Sequence, residues 1–507
     1  MIDSKLPNRF TNAAKLRKDL KTKSETEWVA RGRRRALELF HAMSKRVPAY
    51  KDFLKKHQVK PATIKTFQDF SRVPSIDKDN YLRKYKLQDL CWDGKFAQKP
   101  WVIAATSGST GEPYYFPRQP LQDSMYEIIA ELYLLENFNI DKKRTLYINA
   151  FPLGIWIGGL FTYEAIYRVM LKNSYQLSIV NPGINILETI NAIKNLGHQY
   201  DQIIIGAYGP FLKDIIDEGE KEGLKWKQLD MGFILSAESF SELFRDYIYK
   251  KTAIKDPYRA SLNHYGTVDL GTMSHETPIS IMARRLALQN EQLNELMFPD
   301  TIKLPTLTQY IPELFYFEQE KDNLLCSSTS GIPLFRYDLK DIGRVFSTKD
   351  LRAWFARCGL DLEAELKKAK IEDSLWNLPF VYVYERNDFS VSYFAFQIYP
   401  ETIRKALLDT TLQESITGKF VMHVNDDKNG KQIFTINVEL KKGLSDTKKI
   451  TSSIAEVVIE QLLLESSEYR KIYGEYGRTR VEPVVIPWPY QDSTYFKTGT
   501  KQKWVQK

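Results

Sequence analysis

From about residue 100 to residue 260, short apolar runs alternate with amphipathic stretches, and this alternation constrains the fold more than any other feature. "WVIAA", "TLYINAF", "QLSIV", "QIIIGAY" and "MGFILSA" read as strands, while "ETINAIKNLG" and "FLKDIIDEGEKEG" between them read as helices. Strands separated by helices predict βαβ units on a parallel sheet. Ligands in such sheets bind beyond the carboxyl ends of the strands. "TSGSTGEP" (106–113), "QIIIGAYGP", "ILSAE" and "NHYGTVD" all fall at such ends.

The flanks read differently. Before residue 100 the apolar spacing is helical, as in "ALELFHAMSKRVPAYKDFLKKH", broken at Pro48; "SRVPSIDKDNYLRKY" repeats a proline break followed by an Asp77 cap. After about residue 300, "TLTQYIPELFYFEQE" and "LFRYDLKDIGRVF" predict strands of a barrel or curled sheet. From 384 onward come a helix ("YPETIRKALLD"), a hairpin across "NDDKNGK", a long helix ("TKKITSSIAEVVIEQLLLE") and a basic tail, an α+β unit of about 120 residues. The expected fold is α/β. A large N-terminal domain, 1–384, opens with a helical region, 1–100, and holds doubly wound βαβ subdomains plus a β-rich barrel-like part. A small mobile α+β domain, 385–507, follows.

A chain of 507 residues exceeds one ordinary core. The formal charge of +9 is concentrated in "KLRKDLKTK" and "RGRRRALELFHAMSKR". A solvated helical face competes there with an anionic partner such as a nucleotide, coenzyme A or a membrane surface. No basic stripe with interleaved aromatics and no zinc-finger spacing occurs, which argues against nucleic acid. Cys91, Cys326 and Cys358 are too few and too scattered for a disulfide framework or a zinc site. "MIDSKLPNRF" lacks the apolar core of a signal peptide. "FPLGIWIGGLF" is too short to span a bilayer, so no stable membrane insertion and a cytoplasmic location are expected. An oligomer stays open.

Two glycines, four hydroxyls, a glutamate and a proline fill "TSGSTGEP". Small residues let backbone N–H groups approach a phosphate, and hydroxyls add donors. The stretch lacks the ending of a Walker A loop, and alone it reads more readily as a surface turn. Its company decides otherwise. It resembles the phosphate loop of the AMP-forming acyl- and aryl-CoA ligases, a superfamily that includes peptide-synthetase adenylation domains and firefly luciferase. "RVPAYKDFL" followed by "RVPSIDKDNYL" resembles the helical opening of the phenylacetate-CoA ligase-like branch, which includes capsule-biosynthesis-associated relatives. The likeness runs through nearly the whole chain, with its motifs in order.

The resemblance implies site residues. Thr106, Ser107, Gly108, Ser109, Thr110 and Gly111 would hold the β- and γ-phosphates of ATP. "ILSAES" resembles the segment beside the adenine; Ala237 and Glu238 match, and Ser236 replaces a glycine. "HYGTVDLG" resembles "YGxTE": Tyr265, with Gly266 beside it, would stack on adenine. Asp269 stands for the Mg²⁺-binding glutamate, with Glu276 as an alternative carboxylate, and Val268 replaces a threonine that contacts the α-phosphate. "LFRYDLKDIGRV" resembles "YRTRDL": Asp341 would accept from the ribose hydroxyls, and Arg344 would hold phosphate or the hinge.

"YERNDFSVSYFAFQIYPETI" resembles the hinge segment, with Arg386, Asp388, Pro400 and Ile403 matching and Asp388 as the pivot; Glu385 and Ala395 replace glycines. In the family the region of Ala395 approaches the pantetheine, where a Cβ narrows the passage. "TYFKTGTKQKWV" resembles the catalytic-lysine segment and selects Lys501, with Lys497 and Lys503 as rivals. "AFPLGIWIGGLF" resembles the wall of the acyl pocket, giving Phe151, Ile155 and Trp156, for which core packing competes.

The implied activity is ATP- and Mg²⁺-dependent activation of a carboxylic acid, aryl or medium acyl, as an acyl adenylate. Pyrophosphate leaves and the acyl group passes to coenzyme A. Two alternatives stand beside it: transfer to an amine or sugar acceptor, and a non-catalytic nucleotide- or acyl-binding homologue.

Overall fold

The computed structural model describes residues 2–3, 5–105, 114–154, 157–236, 240–299, 301, 304–384, 391–393, 396–426, 432–445, 448–497 and 504–506. The helical opening is built on helix Glu25–Arg46. Ser24 caps it by accepting the Glu27 N–H at 3.2 Å. Trp28, Gly32, Ala36, Leu39, Phe40 and Met43, spaced three or four apart or adjacent, form its buried face. That face lies close enough to the β-rich part for an added Cβ on Gly32 to sit 2.6 Å from the Pro312 Cβ and carbonyl oxygen.

The strands follow in chain order. β1 (Val102–Ala105) and β2 (Tyr115–Arg118) form an antiparallel hairpin closed by the Ala105–Tyr115 pair. β3 (Thr145–Asn149), β4 (Leu177–Val180), β5 (Gln202–Ala207) and β6 (Met231–Leu235) are parallel strands foreseen from the apolar runs, and β7 (Ser261–Thr267) adds a fifth that no such run marks; "WVIAA", read with them, instead forms β1 of the separate antiparallel hairpin. β8 (Gly271–His275), β9 (Thr306–Gln309), β10 (Tyr316–Glu320), β11 (Asn323–Ser328), β12 (Leu334–Phe346) and β13 (Phe380–Tyr384) are antiparallel. Among the described residues these join one 11-stranded sheet in the order β10-β11-β12-β13-β9-β8-β7-β6-β5-β3-β4. The β-rich part after residue 300 therefore continues the parallel sheet.

The parallel half is covered on both faces because adjacent strand residues point opposite ways. Ile203 and Ile205 of β5 join a core with Ile193, Leu212 and Phe244, whereas Ile204 joins another with Phe138 and Phe161.

Beyond residue 390, β14 (Val391–Tyr393) pairs with β15 (Phe396–Ile398). β16 (Ile416–Asp426), β17 (Gln432–Leu440) and β18 (Val484–Trp488) form a second sheet. Helices Pro400–Ala406 and Lys448–Glu465 complete an apolar core of its own, with Ile403, Phe420, Ile436 and Ile454 at its centre. Lys419 on β16 ties this part to the first, 2.6 Å from Asp214 on helix Gly209–Lys221. No helix among the described residues is long and apolar enough to cross a membrane.

Two predictions follow from this packing. Gly32→Leu forces a side chain into the Pro312 backbone and should lower the unfolding free energy by about 1–3 kcal/mol, read by urea denaturation; an unchanged midpoint would contradict the docking. His264 and His275 are buried between Tyr133, Tyr126 and Trp376. Burial holds His264 well below its usual value and lowers His275 from 6.5 to about 4. Above pH 6.5 both are neutral in folded and unfolded chains. As pH falls from 6.5 toward 4, the unfolded chain takes up protons that folded His275 refuses. Stability should therefore fall over this window by about 1.4 kcal/mol per pH unit for each such histidine. His275→Gln should flatten the slope measured by urea unfolding, and an identical slope in the variant would contradict it.

Candidate functional site

β7 and β12 are four steps apart in the sheet order. In a flat sheet that would separate them by about 19 Å. Yet the Tyr265 hydroxyl on β7 donates to Asp341 Oδ2 on β12 at 2.8 Å. The Tyr337 hydroxyl, also on β12, donates to Asp269 Oδ2 in the turn after β7. The antiparallel half thus curls back over the β7–β8 hairpin, at the carboxyl end of the parallel strands. Tyr265 and Asp341 are both buried at 8% exposure. The Tyr265 ring stacks on Phe317, centroids 6.0 Å apart and planes at 27°. Gly266 is required here because a Cβ would lie 2.6 Å from the Gly271 carbonyl oxygen across the hairpin.

The opening region supplies the next layer. Ile76 bridges to β12, its N–H bonding the Arg336 carbonyl at 3.1 Å and its carbonyl accepting the Asp338 N–H at 2.8 Å. This places Lys78 Nζ 3.5 Å from Asp269 Oδ1 and 5.8 Å from the Phe116 ring centroid on β2. The base of the β1–β2 hairpin, Lys78 and Asp269 therefore converge. Asp77 caps the following turn as foreseen, accepting the N–H groups of Asp79 and Asn80 at 2.8 and 2.6 Å. Burial opposes its ionisation, but the Asn80 N–H and the Lys340 ammonium outweigh burial and hold its pKa below the usual carboxylate range.

The structure brings Tyr265, Gly266, Asp269 and Asp341 together. Arg344 lies three residues beyond Asp341 in the same strand, paired with Tyr382. Glu276 is committed elsewhere. It is fully buried and accepts from Arg245 at 2.8 Å and Arg284 at 2.7 Å, which rules it out as the alternative metal carboxylate. Val268 packs at the edge of the main apolar core.

Phe151 follows β3, is 1% exposed, and meets Tyr208 edge-on at 5.7 Å beyond the end of β5. Thr106–Gly111, Ile155, Trp156, Ala237, Glu238, Asp388, Lys501 and Lys503 lie outside the described residues. Phe496 is buried, and Trp504 is buried with its carbonyl accepting the Met422 N–H at 2.8 Å.

Three contributors escaped the sequence reading: Lys78, Tyr337 and Phe317. Lys78 and Tyr337 stand inside quoted stretches, "SIDKDNYL" and "LFRYD", next to residues that were singled out. Phe317 carries no local signal, because its role comes from the curl.

The arrangement offers a ring for stacking on a flat heterocycle. It offers a carboxylate beside that ring, a group whose two oxygens are acceptors of the kind a diol needs. It also offers a carboxylate–ammonium pair at the base of a glycine- and hydroxyl-rich hairpin. No protein-family model matches the sequence, and no curated protein sequence matches it. Solved structures do. A 2-hydroxyisobutyryl-CoA ligase in the postadenylation state, in complex with R3-HIB-AMP, has a TM-score of 0.65 at 13% identity, over 99% of this chain and 94% of the ligase. The same ligase in the thioesterification state, with 2-HIB-AMP and CoA, gives 0.53 at 14% identity over the same 99% and 94%. Its open conformation gives 0.55 at 13% identity, over 94% and 95%.

The chain has the adenylate-forming ligase fold. Its large mixed sheet and its smaller C-terminal sheet both take part in that match, since nearly the whole chain is covered.

Within this fold the Tyr265–Asp341 bond is the most direct witness of the curl. In a double-mutant cycle of Tyr265→Phe and Asp341→Asn, unfolding free energies should show a coupling of about 0.5–3 kcal/mol. Additivity within about 0.3 kcal/mol would mean that the two groups do not meet in solution.

Proposed function

We propose that this protein activates a carboxylic acid with ATP, forming an acyl adenylate and releasing pyrophosphate, and then passes the acyl group to coenzyme A. The reading is carried by the Tyr265–Asp341 pair, an aromatic ring and a carboxylate joined at 2.8 Å in an adenylate-forming ligase fold. The motifs of the phenylacetate-CoA ligase-like branch support that branch as its kin and an aryl or medium acyl acid as its substrate. Adenine stacks on Tyr265, flanked by Ala237 and Glu238, and the ribose hydroxyls donate to Asp341. The loop Thr106–Gly111 cradles the β- and γ-phosphates with backbone N–H groups and hydroxyls.

A carboxylate oxygen then attacks the α-phosphorus. The new O–P bond forms as the bond to the β-phosphate oxygen breaks, and pyrophosphate carries the charge away. No proton moves in this step, so positioning and charge stabilisation dominate. Asp269 fits a Mg²⁺ role in kind, because Mg²⁺ at phosphate sites takes one or two carboxylates and fills its shell with phosphate and water. When bound there, Mg²⁺ would offset phosphate charge. Lys78, beside the same carboxylate, adds a second positive charge, and Lys501 bridges the acid and the α-phosphate. The acid lies toward Phe151, Ile155 and Trp156. Residues 385–507 act as a lid that turns near Asp388 to admit the acceptor. A cytoplasmic location agrees with these substrates.

A second reading keeps adenylation and changes the acceptor to an amine or sugar; Ala395, where the ligases carry glycine, favours it.

Pyrophosphate exchange into ATP, driven by a panel of aryl and medium-chain acids, tests the first half-reaction. Asp341→Ala should raise the ATP requirement by about 5- to 150-fold, the equivalent of 1–3 kcal/mol for a buried diol left unpaired. Lys501→Ala should slow exchange at least about 100-fold while sparing ATP binding. Normal exchange in both variants would defeat the proposal. Consumption of free coenzyme A during turnover separates the two acceptors.

A further inference from the structure

Four charged side chains, wholly enclosed, stand behind the site in an alternating square. Arg245 and Arg284 are 0% and 1% exposed, and Glu242 and Glu276 are 4% and 0%. Arg245 donates to Glu242 at 2.9 Å and to Glu276 at 2.8 Å. Arg284 donates to Glu242 at 2.8 Å and to Glu276 at 2.7 Å. Each arginine touches both carboxylates, so the square is neutral. Arg285, on the rim, adds a contact to Glu242 at 3.0 Å.

Charges so deeply buried cost several kcal/mol each in lost hydration, and an apolar cluster of the same volume serves stability equally well. What an apolar cluster cannot do is hold particular backbone atoms. The square holds them at two places. Arg284 Nη2 donates to the Phe240 carbonyl at 3.1 Å, five residues past the end of β6. Glu276 Oε2 accepts the Asn263 N–H at 2.9 Å, and the Glu276 N–H returns to the Asn263 carbonyl at 2.8 Å. Asn263 is two residues before Tyr265 on the same strand, so its side chain and that of Tyr265 share a face. Arg245 fixes the start of β7 as well, donating to Ser261 Oγ at 2.6 Å. The guanidinium of Arg245 also lies 4.8 Å from the Phe240 ring centroid.

We infer that Arg284 and Glu276 are positioning residues for nucleotide binding. The square sets the separation between the chain at Phe240 and β7, and thereby the seat of Tyr265, without touching the nucleotide. This rests on the reading of Tyr265 and Asp341 as the nucleoside site, and it extends the site by a layer that no motif marks. The arginines act as spacers of fixed shape: the planar fork of Arg284 reaches two carboxylates and a carbonyl in a set geometry that a compact ammonium on a flexible stem does not reproduce.

The test is binding of AMP and of ATP, titrated calorimetrically, which needs no knowledge of the acid. Arg284→Lys keeps the charge and loses the fork; Glu276→Gln keeps the shape and loses the charge. Both should weaken AMP and ATP binding at least about tenfold, measured well below each variant's melting temperature with folding checked by circular dichroism. Tyr249→Phe is the control. It removes a buried hydroxyl 2.7 Å from Ser261 Oγ and leaves in place the bonds to the Phe240 carbonyl and the Asn263 N–H. It should lower the melting temperature and leave both affinities within about twofold. For any acid that supports exchange, the KM for ATP should rise in Arg284→Lys and the KM for the acid should not. A folded Arg284→Lys chain that binds AMP as tightly as the parent overturns the inference, as does an equal loss in Tyr249→Phe. Failure of both square variants to fold assigns these residues to the core and also overturns it. A parent chain that binds neither AMP nor ATP removes the nucleoside reading itself; binding by the parent with unmoved variants removes only the positioning role.

Discussion

Everything at the candidate site depends on the antiparallel half of the sheet curling back over the β7–β8 hairpin. Without the curl, Asp341 and Tyr265 belong to strands four steps apart. With it, they share a 2.8 Å hydrogen bond, and Tyr337 reaches Asp269 alongside. Two devices support the bend. The helical opening lays Ile76 against β12 as an extra bridge, and the Lys340–Asp77 pair at 2.6 Å fastens the next residue. Helix Glu25–Arg46 meets the outer side through Gly32, at a distance that admits no side chain. The opening is thus a brace for the site as much as a separate region.

Behind β7 the support is electrostatic. The β7–β8 hairpin carries the candidate residues Tyr265 and Asp269, while the buried arginine–glutamate square bonds the strand that bears Tyr265. Glu276 illustrates how position decides role. A carboxylate seven residues beyond Asp269 looks like a second metal ligand in the sequence, but two guanidinium groups and a backbone N–H already satisfy it. Asp269 meets the Lys78 ammonium and the Tyr337 hydroxyl, near the base of the hairpin whose loop is the phosphate-loop candidate.

Much of the fold was legible because its signals are local. The five apolar runs that read as strands are β1, β3, β4, β5 and β6, and the β-rich texture after residue 300 is the antiparallel half of the sheet. Tyr265 and Asp341 were legible through motifs, and the structure joins them. The curl was not legible in detail, since contacts across 68 and 76 residues leave no period in the chain. Phe317 and Tyr337 went unnoticed for that reason. Arg344, given by the resemblance as a phosphate or hinge residue, lies in the same strand three residues beyond Asp341. The square was illegible because Glu242, Arg245 and Arg284 belong to helical stretches with no motif and Glu276 read as a metal carboxylate; only tertiary enclosure brings the four together.

The central claim is that a carboxylate oxygen attacks the α-phosphorus of ATP in a site organised by that curl. Its most direct test is isotope transfer. An acid that supports turnover, labelled with ¹⁸O in its carboxylate, is incubated with the protein, ATP and acceptor, and the released AMP is analysed by mass spectrometry. The account predicts one ¹⁸O atom in AMP for each acyl group transferred, and none in pyrophosphate. Label in inorganic phosphate with formation of ADP, or unlabelled AMP, would contradict it.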